Sequence, residues 1–485
     1  MQKIWNTTNN QIPKDWAIKT LPEFSRIEMG QSPSSNTYNF DGRGLPFFQG
    51  KAEFGEFYPK VNKYCSEPKK IAEEGAVLLS VRAPVGPTNL AKEKSCIGRG
   101  LAALHPLDGM DSKFLLFLLR SIEPELSSQG AGSTFKAITK GFVENMAFAI
   151  PDIREQEYII TKIEELFSEL DSGIASLKIA QEQLKVYRQA LLKHAFEGKL
   201  TEQWRKDNAD KLETPEQLLA RIQTERETRY QQQLNDWKQA VKDWEEKGKE
   251  GKKPSKPAVL KKPTTLKHLD LTVPTNWAVQ ELVDIASECV LGKMLDKQKN
   301  IGTERPYLGN INVRWGRFDL DDLKTMRIED SEVERYSLIA GDLVICEGGE
   351  PGRCAIWSNN TNQVFIQKAL HRVRLTASYS SKFAFYYLVY AVPLERVVKL
   401  FTGTTIKHLT GAGLKKVQLP VCSISEQQEI VNLLEEKLSI IEQNEKEIED
   451  ALIKAELLRQ SILKKAFSGM LTNFDSNMEI PNEHK

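Results

Sequence analysis

One helical segment occurs twice in this chain, from Glu155 to Thr201 and again from Glu426 to Thr472, in register and without a gap. Both copies open on Glu-Gln (Glu155-Gln156, Glu426-Gln427) and place Arg-Gln near the end (Arg188-Gln189, Arg459-Gln460). Both close on Ala-Phe-x-Gly-x-Leu-Thr, at Ala195 to Thr201 and Ala466 to Thr472. A repeat this long and this widely separated demands two equivalent halves, and two equivalent halves imply two equivalent targets. At 485 residues there is length for three or four structural units with sizeable cores.

The repeat continues upstream in fainter form. Ile12-Pro13-Lys14-Asp15-Trp16-Ala17 is echoed by Val273-Pro274-Thr275-Asn276-Trp277-Ala278, and Glu74-Gly75-Ala76-Val77-Leu78-Leu79 by Ala340-Gly341-Asp342-Leu343-Val344-Ile345. Gly132-Ser133-Thr134-Phe135-Lys136-Ala137-Ile138-Thr139 returns as Gly403-Thr404-Thr405-Ile406-Lys407-His408-Leu409-Thr410. Between these anchors the halves differ freely. Each upstream unit mixes short β-type runs (Val77–Val81, Leu343–Cys346, Val364–Ile366) with Gly/Pro turns and one apolar helix. Asp111 or Ser112 would cap the first of these helices and Ser380 or Ser381 the second. The pattern predicts an α+β fold with two globular domains of short strands and helices.

The repeated segments carry a heptad seam. Ile163, Leu170, Leu177, Leu184 and Leu191 fall seven apart in the first copy; Leu434, Ile441, Ile448, Ala455 and Ile462 do so in the second. Two such helices in one chain pair as a coiled coil, and identical topology in the halves makes the pair antiparallel. Roughly 40 residues at 1.5 Å rise give a rod of about 60 Å. Gly198 and Gly469 stand where helices end. The predicted layout is a first domain over 1–150, a long helix over 151–201, an insert over 202–263, a second domain over 264–420, a second long helix over 421–472 and a tail over 473–485. Within the insert, Thr214-Pro215-Glu216 starts a polar, exposed helix running to Glu246, and the lysine- and proline-rich Lys247–Lys267 reads as a solvated linker.

Charge is distributed unevenly. The net charge is +1, yet residues 1–150 carry 18 basic and 15 acidic side chains and residues 264–420 carry 20 and 17, net +3 each. The long helices are acidic, at −2 for 151–201 and −4 for 421–472. A polyanion would therefore meet the non-helical units, and protein partners the helices. Met1–Trp16 shows no secretory signal, and the apolar stretches Phe114–Leu119 and Phe383–Val392 are too short to span a membrane. Six scattered cysteines (Cys65, Cys96, Cys289, Cys346, Cys354, Cys422), without Cys-x-x-Cys or zinc spacing, read as reduced core residues of a cytoplasmic protein.

No catalytic or metal-binding motif emerges. Gly348-Gly349-Glu350-Pro351-Gly352-Arg353 lacks the lysine and hydroxyl of a phosphate-binding loop. Gly-x-Ser-x-Gly, His-Glu-x-x-His and the aromatic-flanked Asn/Asp-Pro-Pro loop of an adenine methyltransferase do not occur. Pro151-Asp152 with Glu197-Gly198-Lys199 loosely mimics a nuclease site, but the second copy has Val421, Ser468 and Met470 there, so the charged members are dispensable. What remains is the twin turn. Thr134, Lys136, Thr405 and Lys407 offer hydroxyls and charges that can clamp a phosphate, or simply cap the next strand. Arg82 and Arg353 sit in matching Pro/Gly loops and can read guanine or form structural ion pairs.

The duplicated layout, the Ile150-Pro151…Glu155-Gln156…Ile159 and Leu419-Pro420…Glu426-Gln427…Ile430 lead-ins to the helices and the Ala-Phe-x-Gly-x-Leu-Thr exits together resemble the specificity subunit of type I restriction-modification systems. The resemblance covers the chain apart from the 202–263 insert. It implies two target recognition domains that each read one half of a split double-stranded DNA sequence. Paired helices would hold them apart and dock two methyltransferase subunits, with restriction subunits adding translocation and cleavage. S-adenosylmethionine, ATP and magnesium then belong to the partners, and this chain binds no cofactor and catalyses nothing by itself. A rod of about 60 Å suits readers a DNA turn of about 34 Å or more apart. Lys51, Arg314 and Arg317, in stretches where the halves diverge, join the DNA-binding candidates. Two other classes fit the same pattern less fully: a coiled-coil scaffold with two protein-binding heads, and a single-chain modification enzyme.

Overall fold

The computed structural model describes residues 3–7, 12, 15–129, 137–251, 253–260, 262–263, 272–296, 300–359 and 363–471. It divides into two compact units, Met1–Gln181 with Lys446–Lys485, and Glu182–Glu445. The main helices are α1 (Ser112–Ser121), α2 (Ile153–Phe196), α3 (Pro215–Glu246), α4 (Ser381–Ala391) and α5 (Ile424–Phe467). Among the described residues no helix is long and apolar enough to cross a membrane.

In the first unit an antiparallel sheet runs in the order Ser25–Met29, Leu101–Pro106, Val77–Ser80, Thr88–Leu90. Val77 to Ser80 are buried on both faces, as an unbroken apolar run requires. A smaller mixed sheet is built on Leu45–Phe48 and Ser95–Ile97. Against the main sheet lies α1, whose Phe114 to Leu119 are wholly buried. Asp111 caps it, accepting from the Lys113 and Phe114 amides (2.7 and 3.1 Å). The second unit repeats the plan: Ala286–Leu291, Leu370–Leu375, Leu343–Cys346, Cys354–Ile356, with a small sheet on Thr303–Leu308 and α4 capped by Ser380. The α+β class with two globular domains is therefore correct. All six cysteines are free thiols, five of them buried.

The repeated motifs are joints. Gln156 is buried, accepts from the Asp111 amide (3.1 Å) and donates to the Gly109 and Pro151 carbonyls (3.0 and 3.1 Å). Gln427 does the same in the second unit, accepting from the Ser380 amide (2.8 Å) and donating to the Cys422 and Ser378 carbonyls (2.9 and 3.2 Å). Each glutamine thus fixes the start of a long helix to the cap of the buried short one. Its glutamate neighbour binds the repeated tryptophan. Glu426 accepts from Trp277 Nε1 (2.9 Å), Thr201 Oγ1 (2.8 Å) and Arg205 Nη1 (2.6 Å). In the first unit, burial pushes the Glu155 carboxyl up, opposed by a hydrogen bond from Trp16.

The closing Ala-Phe of each copy packs into the unit that the other copy opens. Phe467, at the end of α5, meets Phe114 edge-on at 5.0 Å in the first unit. Phe196, at the end of α2, meets Phe383 at 5.3 Å in the second. Gly198 (φ +72°) and Gly469 (φ +70°) then turn the chain in the left-handed region, as their positions predicted.

Both long helices have 44 residues. In the first unit the start of α2 pairs with the end of α5: Ile163 and Phe167 share a core with Ile462 and Ala466, and Arg459 pairs with Asp171. In the second unit the end of α2 pairs with the start of α5: Leu191 and Ala195 share a core with Leu434, Leu438 and Ile441, and Arg188 reaches Glu445 (2.8 Å) and Glu442 (3.9 Å). Pairing is antiparallel in each. Of the predicted seam, Ile163, Leu191, Leu434, Ile441, Ala455 and Ile462 are buried, and Leu170, Leu177, Leu184 and Ile448 half-buried.

The insert departs from expectation. Its helix exists, but the first half of α3 is packed: Leu218 and Ile222 join the second unit's core. Arg226 pairs with Asp284 (3.1 Å) and Arg229 with Glu288 (2.8 Å). Gly251 to Lys256, as far as they are described, lie against the second half. Trp237 Nε1 donates to the Pro254 carbonyl (3.1 Å) and Trp244 Nε1 to that of Gly251 (3.3 Å). The ammonium groups of Lys256 and Lys253 lie over the same two rings. The described part of this stretch is mostly exposed and without helix or strand, as a solvated linker is, and the two indoles add contacts that composition does not show.

Candidate nucleic-acid interface

In the second unit the strand Leu343–Cys346 ends in the loop Glu347–Arg353, which closes when the Gly352 amide donates to the Cys346 carbonyl (2.9 Å). The glycines here serve packing and not a phosphate cradle. A Cβ on Gly348 would lie 2.8 Å from His408 Nδ1, and one on Gly352 (φ +90°) 2.7 Å from Val392. The neighbouring loop is the twin turn. Thr402 and His408 exchange backbone hydrogen bonds (2.8 and 2.9 Å), and the Leu409 amide donates to the Glu347 carbonyl (2.7 Å). This stem holds out an exposed tip carrying Thr404, Thr405, Ile406 and Lys407. Beneath it His371 is buried with Nε2 3.1 Å from the Leu409 carbonyl, and burial lowers its pKa from the ordinary 6.5.

A hairpin completes the face. Val313–Arg314 pairs with Arg317–Phe318 across the turn Trp315-Gly316, leaving Arg314 and Arg317 exposed. Trp315 Nε1 donates to Glu350 Oε1 (2.7 Å), and Arg353 donates to Glu350 Oε2 (2.8 Å) and to the Asn310 carbonyl (2.9 Å). Asn310 in turn donates to the Gly348 carbonyl (3.0 Å). Hairpin, loop and tip therefore form one connected surface bearing Arg314, Arg317, Thr405 and Lys407. Such a surface offers mobile cations and hydroxyls for phosphate oxygens and fixed polar groups for base edges.

The first unit has the same frame. The loop from Ser80 to Gly86 closes through the Gly86 amide and the Ser80 carbonyl (3.0 Å), and the Ile138 amide donates to the Val81 carbonyl (2.9 Å). Arg82 is exposed and bridges backbone to backbone with Ala137, at the foot of the first twin turn. The tip itself, with Thr134 and Lys136, lies outside the described residues. Lys51 is exposed in a short 3₁₀ turn. Burial pushes the Glu123 carboxyl up, while Arg120 and Lys51 draw it back. Glu123 also packs on Gly86, in the Arg82 loop.

The two loops match, but the two arginines do not. Equivalent closures align Ser80 with Cys346 and Gly86 with Gly352, which puts Arg82 opposite Gly348. Arg353 lies beyond the closure, largely buried and committed to Glu350 and Asn310, so it is a structural ion pair. Among the described residues no group of three or more His, Cys, Asp or Glu side chains is placed to hold a metal. The charged members of the nuclease mimic have local partners: Asp152 caps the start of α2, accepting from the Glu155 amide (2.9 Å), and Lys199 pairs with Glu197 (2.8 Å) past its end. The sequence reading missed Asn310, Trp315 and Glu350; a Trp-Gly turn between two arginines was the available signal. It also missed an apolar pair on the outside of each long helix. Val186 and Tyr187 of α2 are 70% and 51% exposed; Leu457 and Leu458, at the equivalent positions of α5, are 66% and 51% exposed.

Comparison with known proteins agrees with this plan. The family model described as type I restriction modification DNA specificity domain matches residues 13–178 and 274–451. A putative type I restriction enzyme specificity subunit, MjaX, of Methanocaldococcus jannaschii is 37% identical over 193 residues, 39% of this chain and 44% of that protein. This match spans less than half of that relative's length. The type I restriction enzyme EcoDI specificity subunit of Escherichia coli is 22% identical over 465 residues, 95% of this chain and 90% of its own. A solved structure from work on complex assembly and conformational transition of the type I R-M system covers 95% of this chain and 100% of its own, at 16% identity and a TM-score of 0.66, which establishes a shared fold. With two specificity domains matched over most of its length, the chain belongs to the type I restriction-modification DNA specificity family.

Proposed function

We propose that this chain is the sequence-reading subunit of a type I restriction-modification complex, in which each unit reads one half of a bipartite double-stranded DNA site. The carrying observation is that a loop closed onto its own strand stands beside the foot of the twin turn in both units, while the side chains on it differ: Arg82 in one, Gly348 with Trp315 and Glu350 in the other. A shared frame with unlike content is what two readers of different half-sites need. Phosphates would take the cationic side chains and fix register, and a few polar groups would read base edges in the major groove.

The exposed pairs Val186-Tyr187 and Leu457-Leu458 support docking of two methyltransferase subunits, one at each copy of the repeat. In this reading the partners, including restriction subunits, supply S-adenosylmethionine, ATP and magnesium chemistry. The chain itself is non-catalytic and works in the cytoplasm on DNA. The test is selection from a random-sequence duplex pool by the full chain assembled with its methyltransferase partner. Recovery of one split motif, bound with a steep salt dependence, is expected. Equal affinity for every duplex at physiological salt would overturn the proposal.

A further inference from the structure

Glu350 is an anomaly on the second unit's face. A carboxylate pointed at DNA is repelled by phosphates, so it costs affinity unless a hydrogen-bond donor meets it. Yet this one is held outward. It is about half exposed, with Oε1 fixed by Trp315 Nε1 at 2.7 Å and Oε2 by Arg353 Nη1 at 2.8 Å. Arg353 is itself anchored on the Asn310 carbonyl, and Asn310 on Gly348. Each carboxylate oxygen accepts more than one hydrogen bond, so acceptor capacity remains on both. The group is presented with its rotamer already paid for.

Two donors are available in the major groove, the N4 amino group of cytosine and the N6 amino group of adenine. Adenine carries N7, an acceptor, beside N6, and a two-oxygen carboxylate facing that edge brings one oxygen against it. Cytosine offers its amino group with no acceptor beside it on the same base. We infer that Glu350 is a specificity-determining residue that accepts a hydrogen bond from the N4 amino group of one cytosine in the half-site read by the second unit. The inference rests on the DNA-reading role proposed above and adds the base and the residue to it. Trp315 acts as its positioning residue.

The test repeats the duplex selection with wild-type chain and E350Q, each assembled with the methyltransferase partner. A glutamine keeps the shape and one acceptor oxygen for Trp315, gives up the oxygen that Arg353 holds, and puts in its place an amide donor, which matches adenine N7 beside N6. In E350Q one position of one half-site is expected to lose a cytosine preference of about tenfold or more and to relax or turn to adenine. The other half-site should stay unchanged. A wild-type motif that E350Q leaves unaltered at every position overturns the role of Glu350 while the bipartite reading stands. Absence of any motif with wild-type chain overturns the underlying reading instead. Should E350Q bind no duplex, E350A decides, because it removes the carboxylate and adds no donor: relaxed selectivity at one position supports the inference, and unchanged selectivity overturns it, while W315F, in which Arg353 still holds the carboxylate, tests the positioning role of Trp315 alone.

Discussion

Lys407 stands on a loop whose stem is closed by reciprocal backbone hydrogen bonds, so its charge can meet a phosphate without ordering the chain first. A phosphate contact carries no sequence information. K407A is therefore expected to weaken binding of matched and mismatched duplexes alike and to lower the slope of log K against log salt by about 1. An unchanged slope in a binding titration over salt would remove Lys407 from the interface. The same tip rests on the buried His371. Burial lowers the His371 pKa below 6.5; the hydrogen bond to the Leu409 carbonyl and then Glu347 oppose that shift, and Lys415 adds to it. As pH falls, the unfolded chain takes up this proton first, so the contribution to stability is present above pH 6.5 and lost below it, through the folded value. Wild-type protein should melt at a lower temperature at pH 5.5 than at pH 7.5, and H371Q should lose less over that interval. His105, also lowered by burial, accounts for part of what remains. Equal acid sensitivity in H371Q would show that the buried imidazole is not titrating.

At the scale of the element, the long helices have an inside and an outside that should fail differently. Leu434 is wholly buried in the second unit's core, so L434D puts a charge in an apolar site and should cost more than about 4 kcal/mol, seen as a collapsed thermal transition. Leu177 is only half-buried, and L177D should be milder. The double variant L457D/L458D lies on the outside. It should keep the wild-type melting temperature and lose methyltransferase at one of two sites, read as a change in stoichiometry by light scattering; full stoichiometry would dismiss the surface. The seam was legible because a heptad is a local pattern, and antiparallel pairing followed from the duplication. Packing of α3 was not legible, because Arg226 and Arg229 find Asp284 and Glu288 far along the chain, and only the fold brings them together. The mismatch of Arg82 and Arg353 has a similar cause. Sequence aligned the loops by their Pro and Gly letters, whereas backbone closure sets the true register.

On the scale of the molecule, neither unit is made from one copy of the repeat. The first takes the start of α2 and the end of α5; the second takes the end of α2 and the start of α5. This explains why the repeated letters cluster at helix ends. Phe196 on Phe383, Thr201 on Glu426 and Phe467 on Phe114 are the surfaces where one copy is received by the other, and a change on one side must suit the other, whereas Trp16 with Glu155 and Trp277 with Glu426 tie each domain to its own helix. The sequence displayed those letters plainly, but their crossed destinations needed the structure. A cut in the insert follows from the same construction. Replacing Lys247–Gly251 with a protease site and cleaving it leaves one fragment ending in the insert and another beginning there. The first unit still joins Ile159, Ile163 and Phe114 of one fragment to Ile462, Ala466 and Phe467 of the other. The second still joins Leu191, Phe196 and Ile222 to Trp277, Phe383 and Leu434. Two separate cores thus bridge the break. The cleaved chain is expected to elute as one species on native gel filtration, to separate in denaturing urea and to select the same split motif as the intact chain. Fragments that part under native conditions would mean that each unit holds together mainly through contacts within one copy, against the crossed packing of Phe196 and Phe467.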